Sequence, residues 1–410
     1  MASAHPAVRN TPSGSPAPTQ GKRRGRLVEL DVLRGFLLLW MTLTHLPTKA
    51  NLISNQTFGF VSGAEGFIFL AAFMVGQLEY RVEQKSGAGA TVRDLSRRTL
   101  RIYLYHCALL VFAFTLVAEF GVSFHRLALQ NLLSFYLQQP QHAAIAAALL
   151  LYRPSLLDIL PMYIVFMALT PLARKIARRW TWDPVVYISF GVWAAAEFGL
   201  RAWIYRHVNL FGLSVPEAST GAFDVYAWQL LWMVGLALGT IYAESVAGTA
   251  APTAGATAPG ATEAEVGIPG WLLKLSIGVA LVFLVLRYSP VDHWMNPDKY
   301  GWLIDKWHLG PGRLINFAAL SIVLVRFGAR IAALPFIKPL ASLGQASIEV
   351  FSVHVLCCLA GHALSPEADA ELPLWQQAIL LPLTIAALFL TAYLQRKWTA
   401  RKRERATAAS

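Results

Sequence analysis

"RGFLLLWMTLTH", residues 34–45, decides how this chain is read. Nothing between Arg34 and His45 carries a charge. A helix this apolar on all sides belongs in a core or a bilayer. In a bilayer, a charged group is costly unless it is paired or hydrated. The two polar residues are eleven positions apart. At about 100° per residue this is three turns plus roughly 20°, so both lie on one face, about 16 Å apart along the axis. One helix face thus carries a cation near one end and an imidazole at the other.

The rest of the chain says the same. It has 410 residues, 56% of them hydrophobic and 14% charged. A soluble chain carries about a quarter charged residues. With a mean hydropathy of +0.47, the composition implies a polytopic, all-α membrane protein. The net charge of +12 does not point to nucleic acid, because the basic residues sit in short loops between apolar runs, where cytoplasmic retention places them.

About 20 apolar residues are needed to cross a bilayer. Ten segments meet that need: 28–47, 61–80, 100–121, 156–174, 184–203, 226–244, 270–288, 311–328, 341–363 and 374–395. The stretch 124–152 is apolar in pieces, but "QQPQH" (138–142) breaks it. It reads as interfacial or re-entrant helices on one side. Most of the 35 Lys and Arg residues gather near the N-terminus, in 81–101, in 174–179, around 326–338 and in "RKWTARKRER". An even number of spans with both termini cytoplasmic puts all these clusters inside.

Residues 1–26 have no apolar signal-like region and read as a disordered cytoplasmic tail. Residues 27–396 form the transmembrane domain and 397–410 a basic cytoplasmic tail. The Ala/Thr/Gly/Pro-rich stretch 248–270 reads as a flexible cytoplasmic linker. Cys107, Cys357 and Cys358 lie in apolar runs without zinc spacing and read as packing residues. The sequence implies no metal and no bound cofactor.

Several polar residues fall at similar outer depth. They are His45, Glu65, Asp158, Gln229, Arg313, Asn316 and His354. Their gathering suggests a water-filled cavity between helices. Glu65 could orient His45 as a general base, or simply bond to backbone where its helix begins. Arg97, Arg98 and Arg101 form a basic inner mouth, with His106 deeper. They are ordinary positive-inside anchors or contacts to an anionic ligand's phosphates. The aromatic loop 289–312 anchors the chain at the interface or stacks on carbohydrate.

"ELDVLRGFLLLWMTLTHLP", with its Arg-x10-His spacing, resembles the first helix of the OpgC-type succinyltransferases. These belong to the wider acyltransferase family 3. "GFVSGAEGFIFLAAFMVG", "LDILPMYIVF", "AWQLLWMVGLALG", "DKWHLGPGRLINFAALS" and "LGQASIEVFSVHVL" resemble later family stretches, over roughly residues 27–396. The chain departs from many relatives at Ala71, Ala72 and Phe73, where a Ser-Gly-aromatic is common, so no serine role carries over.

The resemblance implies a bacterial inner-membrane O-acyltransferase. Acyl-CoA, with succinyl-CoA the expected form, would be the cytosolic donor and a periplasmic glucan hydroxyl the acceptor. It implies a catalytic role for His45, as base or transient acyl carrier, and donor handling by Arg34. Glu65 would assist His45, with Arg101 and His106 towards the donor. By their position alone, and not from the resemblance, Asp158, Gln229, Arg313, Asn316 and His354 would line the acceptor cavity. Besides donor, glucan and lipid bilayer, a second copy of the chain is an expected partner. The competing reading is a glycan or lipid-linked sugar exporter.

Overall fold

A computed structural model describes residues 28–207, 215–248, 267–289, 300–365, 367 and 371–408. The expected tail 1–26, most of the linker 248–270 and part of the loop 289–312 lie outside the described residues. Among the described residues every regular element is helical. In chain order they are α1 (Val28–His45), α2 (Ala50–Ser54), α3 (Gly63–Phe112), α4 (Ala118–Ser123), α5 (Leu127–Leu132), α6 (Ser134–Gln138) and α7 (Pro140–Ala148). There follow α8 (Ile159–Arg179), α9 (Asp183–Glu197), α10 (Leu200–His207), α11 (Val225–Gly248) and α12 (Gly270–Tyr288). The last are α13 (Pro311–Ala332), α14 (Leu340–Gln345), α15 (Ser347–Leu364) and α16 (Leu374–Ala408).

Among the described residues, seven helical stretches are long and apolar enough to cross a membrane, or eight if the bent pair α9–α10 counts as one span. One of the seven, Gly63–Ser123, has 61 residues. A straight helix of that length would run about 90 Å, some three bilayer cores. It reverses instead at Gly87, whose φ of 78° and ψ of 171° interrupt the helix. Only glycine takes that conformation at low cost. Glu79 and Asp94 flank the break and act on each other. In a straight helix they would stand about 22 Å apart. The expected spans 61–80 and 100–121 are therefore the two arms of one helical hairpin.

One expected span needs correction. The span 184–203 is not one straight helix: α9 and α10 meet at 78°, around Gly199 with its φ of 85°. α16 runs on through the basic residues after 396 to Ala408. α1 is not among the seven, since Glu29, Asp31 and Arg34 fall within its 18 residues. It is nevertheless held tightly. A Cβ on Gly35 would sit 1.9 Å from the Leu340 carbonyl oxygen, and one on Gly344 would sit 2.0 Å from that of Asp31. Small residues let α1 and α14 touch backbone to backbone, a close approach suited to membrane packing.

Residues 127–148 form three short helices, each too short to cross a bilayer. The Tyr103 hydroxyl donates to the Ala148 carbonyl at 3.0 Å, and Phe114 stacks on Tyr136 with ring centres 4.1 Å apart. The segment therefore runs back along the second arm of the hairpin. Phe114 lies in a π-turn, Ala113–Val117, an insertion of the kind often found at functional places. Ala143, Ala146 and Ala147 are fully buried against it.

The buried indoles fix one further loop. Trp228 Nε1 donates to the Trp307 carbonyl at 3.1 Å, and Trp193 Nε1 donates to the Leu309 carbonyl at 3.1 Å. Buried Trp N–H groups need such partners. Here they clamp residues 305–310 onto α9 and α11.

Candidate functional site

α1 presents Arg34 and His45 to different neighbours. Arg34 Nη1 lies 3.8 Å from the Met74 sulfur on α3. Three turns further on, His45 Nδ1 stands 3.4 Å from His354 Nε2 on α15. His354 is 1% exposed, while His45 is half-buried. On its other side His354 Nδ1 lies 3.5 Å from Cys358 Sγ. His362 Nε2 donates to the His45 carbonyl at 3.1 Å. His354, Cys358 and His362 recur every four residues, so α15 carries them as one stripe towards α1.

The tautomers decide what this pair can do. One arrangement leaves His45 Nε2 as a lone-pair acceptor: His45 Nδ1–H donates to His354 Nε2, and His354 Nδ1–H faces Cys358. No hydrogen bond occupies His45 Nε2 among the described residues. The arrangement holds an imidazole by one nitrogen and leaves the other for chemistry.

Glu65 is placed differently from the sequence expectation. It caps its own helix: the Ser62 backbone N–H donates to Glu65 Oε2 at 3.0 Å, completing a capping box. Its other oxygen accepts from Arg313 Nε at 2.9 Å and also from Nη2. Glu65 and Arg313 are both 0% exposed. The structure therefore pairs Glu65 with Arg313 rather than with His45, and Arg313 is spent on Glu65 rather than open to a substrate. Glu65 bonds to backbone where its helix begins, and the side chain beside the His45 ring is His354.

The remaining candidates divide. Asn316 is fully buried and its Oδ1 accepts from the Phe60 N–H at 3.0 Å. Gln229 is closed into a contact between α11 and α9, bonded to Ser189 Oγ at 2.7 Å and to the Ser189 carbonyl at 2.7 Å. Asp158 Oδ2 accepts from the Ala222 N–H at 3.3 Å. The expectation of one water-filled cavity lined by all seven residues is corrected, since Glu65, Arg313 and Asn316 are sealed in packing.

At the Arg34 end, Arg101 is ion-paired with Glu349 on α15. Tyr105 and Gln395 bond the same carboxylate at 3.3 and 2.9 Å. Arg97 and Arg101 still border a shallow groove with Leu100, Leu104 and Tyr105. His106 is fully buried against the backbone at Ala147, so the segment 127–148 covers it and it does not face the groove.

The four-residue repeat of His354, Cys358 and His362 is a signal for an imidazole stripe that goes beyond the sequence expectation for His354 alone. Lys306 stands in the sequence with Asp305, Arg313 and Asn316 at the outer start of the 311–328 span. In the fold its charge acts on His45, while Glu65, Arg313 and Asp158 act on it.

A family model described as OpgC protein matches residues 26–400. No curated protein matches the chain, and no solved structure does. The match spans almost the whole membrane domain, and the chain belongs to the OpgC family.

Proposed function

We propose that this chain is an O-acyltransferase of a bacterial inner membrane. It moves a succinyl group from cytosolic succinyl-CoA to a hydroxyl of a periplasmic glucan. The observation that carries the reading is His45, held through Nδ1 by buried His354 with Nε2 left open. It stands on the same helix face as Arg34, three turns away. The family match supports the same reaction.

The chemistry follows from that geometry. His45 Nε2 takes the proton of the acceptor hydroxyl as its oxygen attacks the thioester carbonyl carbon. The carbon–sulfur bond breaks, and the proton passes to the departing thiolate. Ester and free thiol form, and His45 returns to neutral. His354 keeps the ring in the productive tautomer. Arg34, with the groove bordered by Arg97 and Arg101, receives the anionic part of the donor from the cytoplasmic side. The exposed indoles of Trp302 and Trp307 offer ring faces to the glucan at the other side.

The test uses the purified protein in detergent with succinyl-CoA and a neutral glucan. Thiol release and acceptor mass are followed together. The reading expects both to rise in step, and His45→Ala to abolish them while the melting transition stays in place. Thiol release without acceptor mass gain would reduce the activity to thioester hydrolysis. Glucan movement across vesicles without acylation would favour the exporter.

A further inference from the structure

Lys306 is a cation in an unusual place. It lies in the loop clamped by Trp193 and Trp228, so its position is fixed by the helices beneath it. Its ammonium sits 4.9 Å from the centre of the Trp307 ring and 6.0 Å from that of Phe223. Ring faces attract a cation but do not neutralise it. Among the described residues no carboxylate lies within ion-pair distance of it.

The carboxylates around it are already engaged. Glu65 is bonded to Arg313, Asp305 to His308 and Asp158 to the Ala222 N–H. The Glu65–Arg313 charges cancel, which leaves Asp158 and His45 as the other groups in electrostatic reach. Burial lowers the Lys306 ammonium from its ordinary range, the expected cost of a cation held out of water without an anion. An incoming carboxylate would remove that cost through a charge-assisted hydrogen bond.

We propose that Lys306 is a specificity-determining residue that binds the distal carboxylate of a dicarboxylic acyl group while His45 serves its thioester end. The inference rests on the acyl-transfer reading and deepens it. The acyl carbon must come to His45 Nε2, and in a succinyl group the free carboxylate is only three carbon–carbon bonds away. Among the described residues, Lys306 is the unpaired cation whose charge reaches His45, and that carboxylate would go there. A glucan bearing its own anionic groups could supply the same chemistry, so the test uses a neutral acceptor.

Succinyl-CoA and butyryl-CoA have acyl chains of equal length and differ in a carboxylate against a methyl. The full-length protein should prefer succinyl-CoA. Lys306→Met should lower kcat/KM for succinyl-CoA roughly 10- to 100-fold, mainly through KM, and leave butyryl transfer unchanged. Lys306→Arg should keep most of the preference and guards against a Met variant that fails to fold. An equal fall with both donors would overturn the proposal and give Lys306 a role in the common step or the fold. An unchanged donor preference in Lys306→Met would overturn it as well. A wild-type protein that transfers butyryl but has no preference for succinyl would sink this inference alone. Transfer from neither donor would sink the acyl-transfer reading and this one with it.

Discussion

The Glu65–Arg313 pair and the His45–His354 pair lie at the same end of the helix assembly, and Lys306 is in electrostatic reach of both. The first joins α3 to α13 with both side chains 0% exposed and the guanidinium bonded twice to one carboxylate oxygen. Its atoms are occupied, and a substrate could reach them only by opening the packing. The second pair joins α1 to α15 through a single contact of 3.4 Å between two imidazole rings and leaves one nitrogen open. Similar depth in the bilayer therefore does not mean similar work. The ion pair fixes where helices sit, and the imidazole pair is placed to act on a ligand.

The sharpest way to break this comparison is to remove His45. His45→Ala should lower acyl transfer by about 10²- to 10⁴-fold, the usual range for a lost general base, with little change in melting temperature. Breaking the ion pair should do the reverse. Glu65→Gln or Arg313→Met alone leaves a buried charge without its partner and should destabilise by about 3–5 kcal/mol, read as lost folded protein in a detergent melt. The double variant Glu65→Leu/Arg313→Met should recover most of that loss, because replacing a buried pair with apolar groups is often near neutral. If the single variants fold normally and lose only activity, Glu65 belongs with His45 after all.

His354 should show an intermediate effect. His354→Gln should reduce kcat on the order of 10²-fold through a misplaced imidazole, with KM for the donor little changed. A parallel rise in KM would make His354 a binding residue instead. Gly87→Ala tests the hairpin and touches neither pair. It should cost about 1–3 kcal/mol of stability, the penalty of that backbone conformation, and leave kcat of the folded fraction intact.

The smallest effect concerns pH and the loop beside Lys306. The hydrogen bond that His308 donates to Asp305 raises the His308 imidazole above its usual range. Burial raises the Asp305 carboxyl, but the bonds from His308 and from the Trp307 N–H outweigh it and hold the carboxyl lower than usual. The His308 contribution is present below its unfolded pKa and fades as pH rises through the raised folded one. The Asp305 contribution is present above its unfolded pKa and fades as pH falls through the lowered one. Loop order should therefore be greatest from mildly acidic to near-neutral pH. Trp fluorescence across pH should show this, and His308→Ala should flatten the alkaline limb.

Hydropathy made the helical membrane architecture legible, because a bilayer demands long apolar runs whatever their order in space. It also exposed the break at "QQPQH" and hence the short helices around it. The shared face of Arg34 and His45 could be read from helical period alone. The partners of the polar residues could not. Glu65 and Arg313 are 248 positions apart, and hydropathy says nothing about which span lies beside which. Depth was mistaken for contact: His45 and Glu65 are level but face different neighbours. The bend between α9 and α10 was hidden because hydropathy does not report the backbone conformation that Gly199 takes.

The central claim is that the imidazole pair acts on substrate while the ion pair holds helices. The most direct measurement is the single-turnover rate of succinyl transfer to a neutral glucan for His45→Ala and for Glu65→Leu/Arg313→Met, side by side in folded protein. The account predicts loss of transfer in the first and a rate within about tenfold of wild type in the second. Transfer that survives in His45→Ala and vanishes in a folded double variant would contradict it.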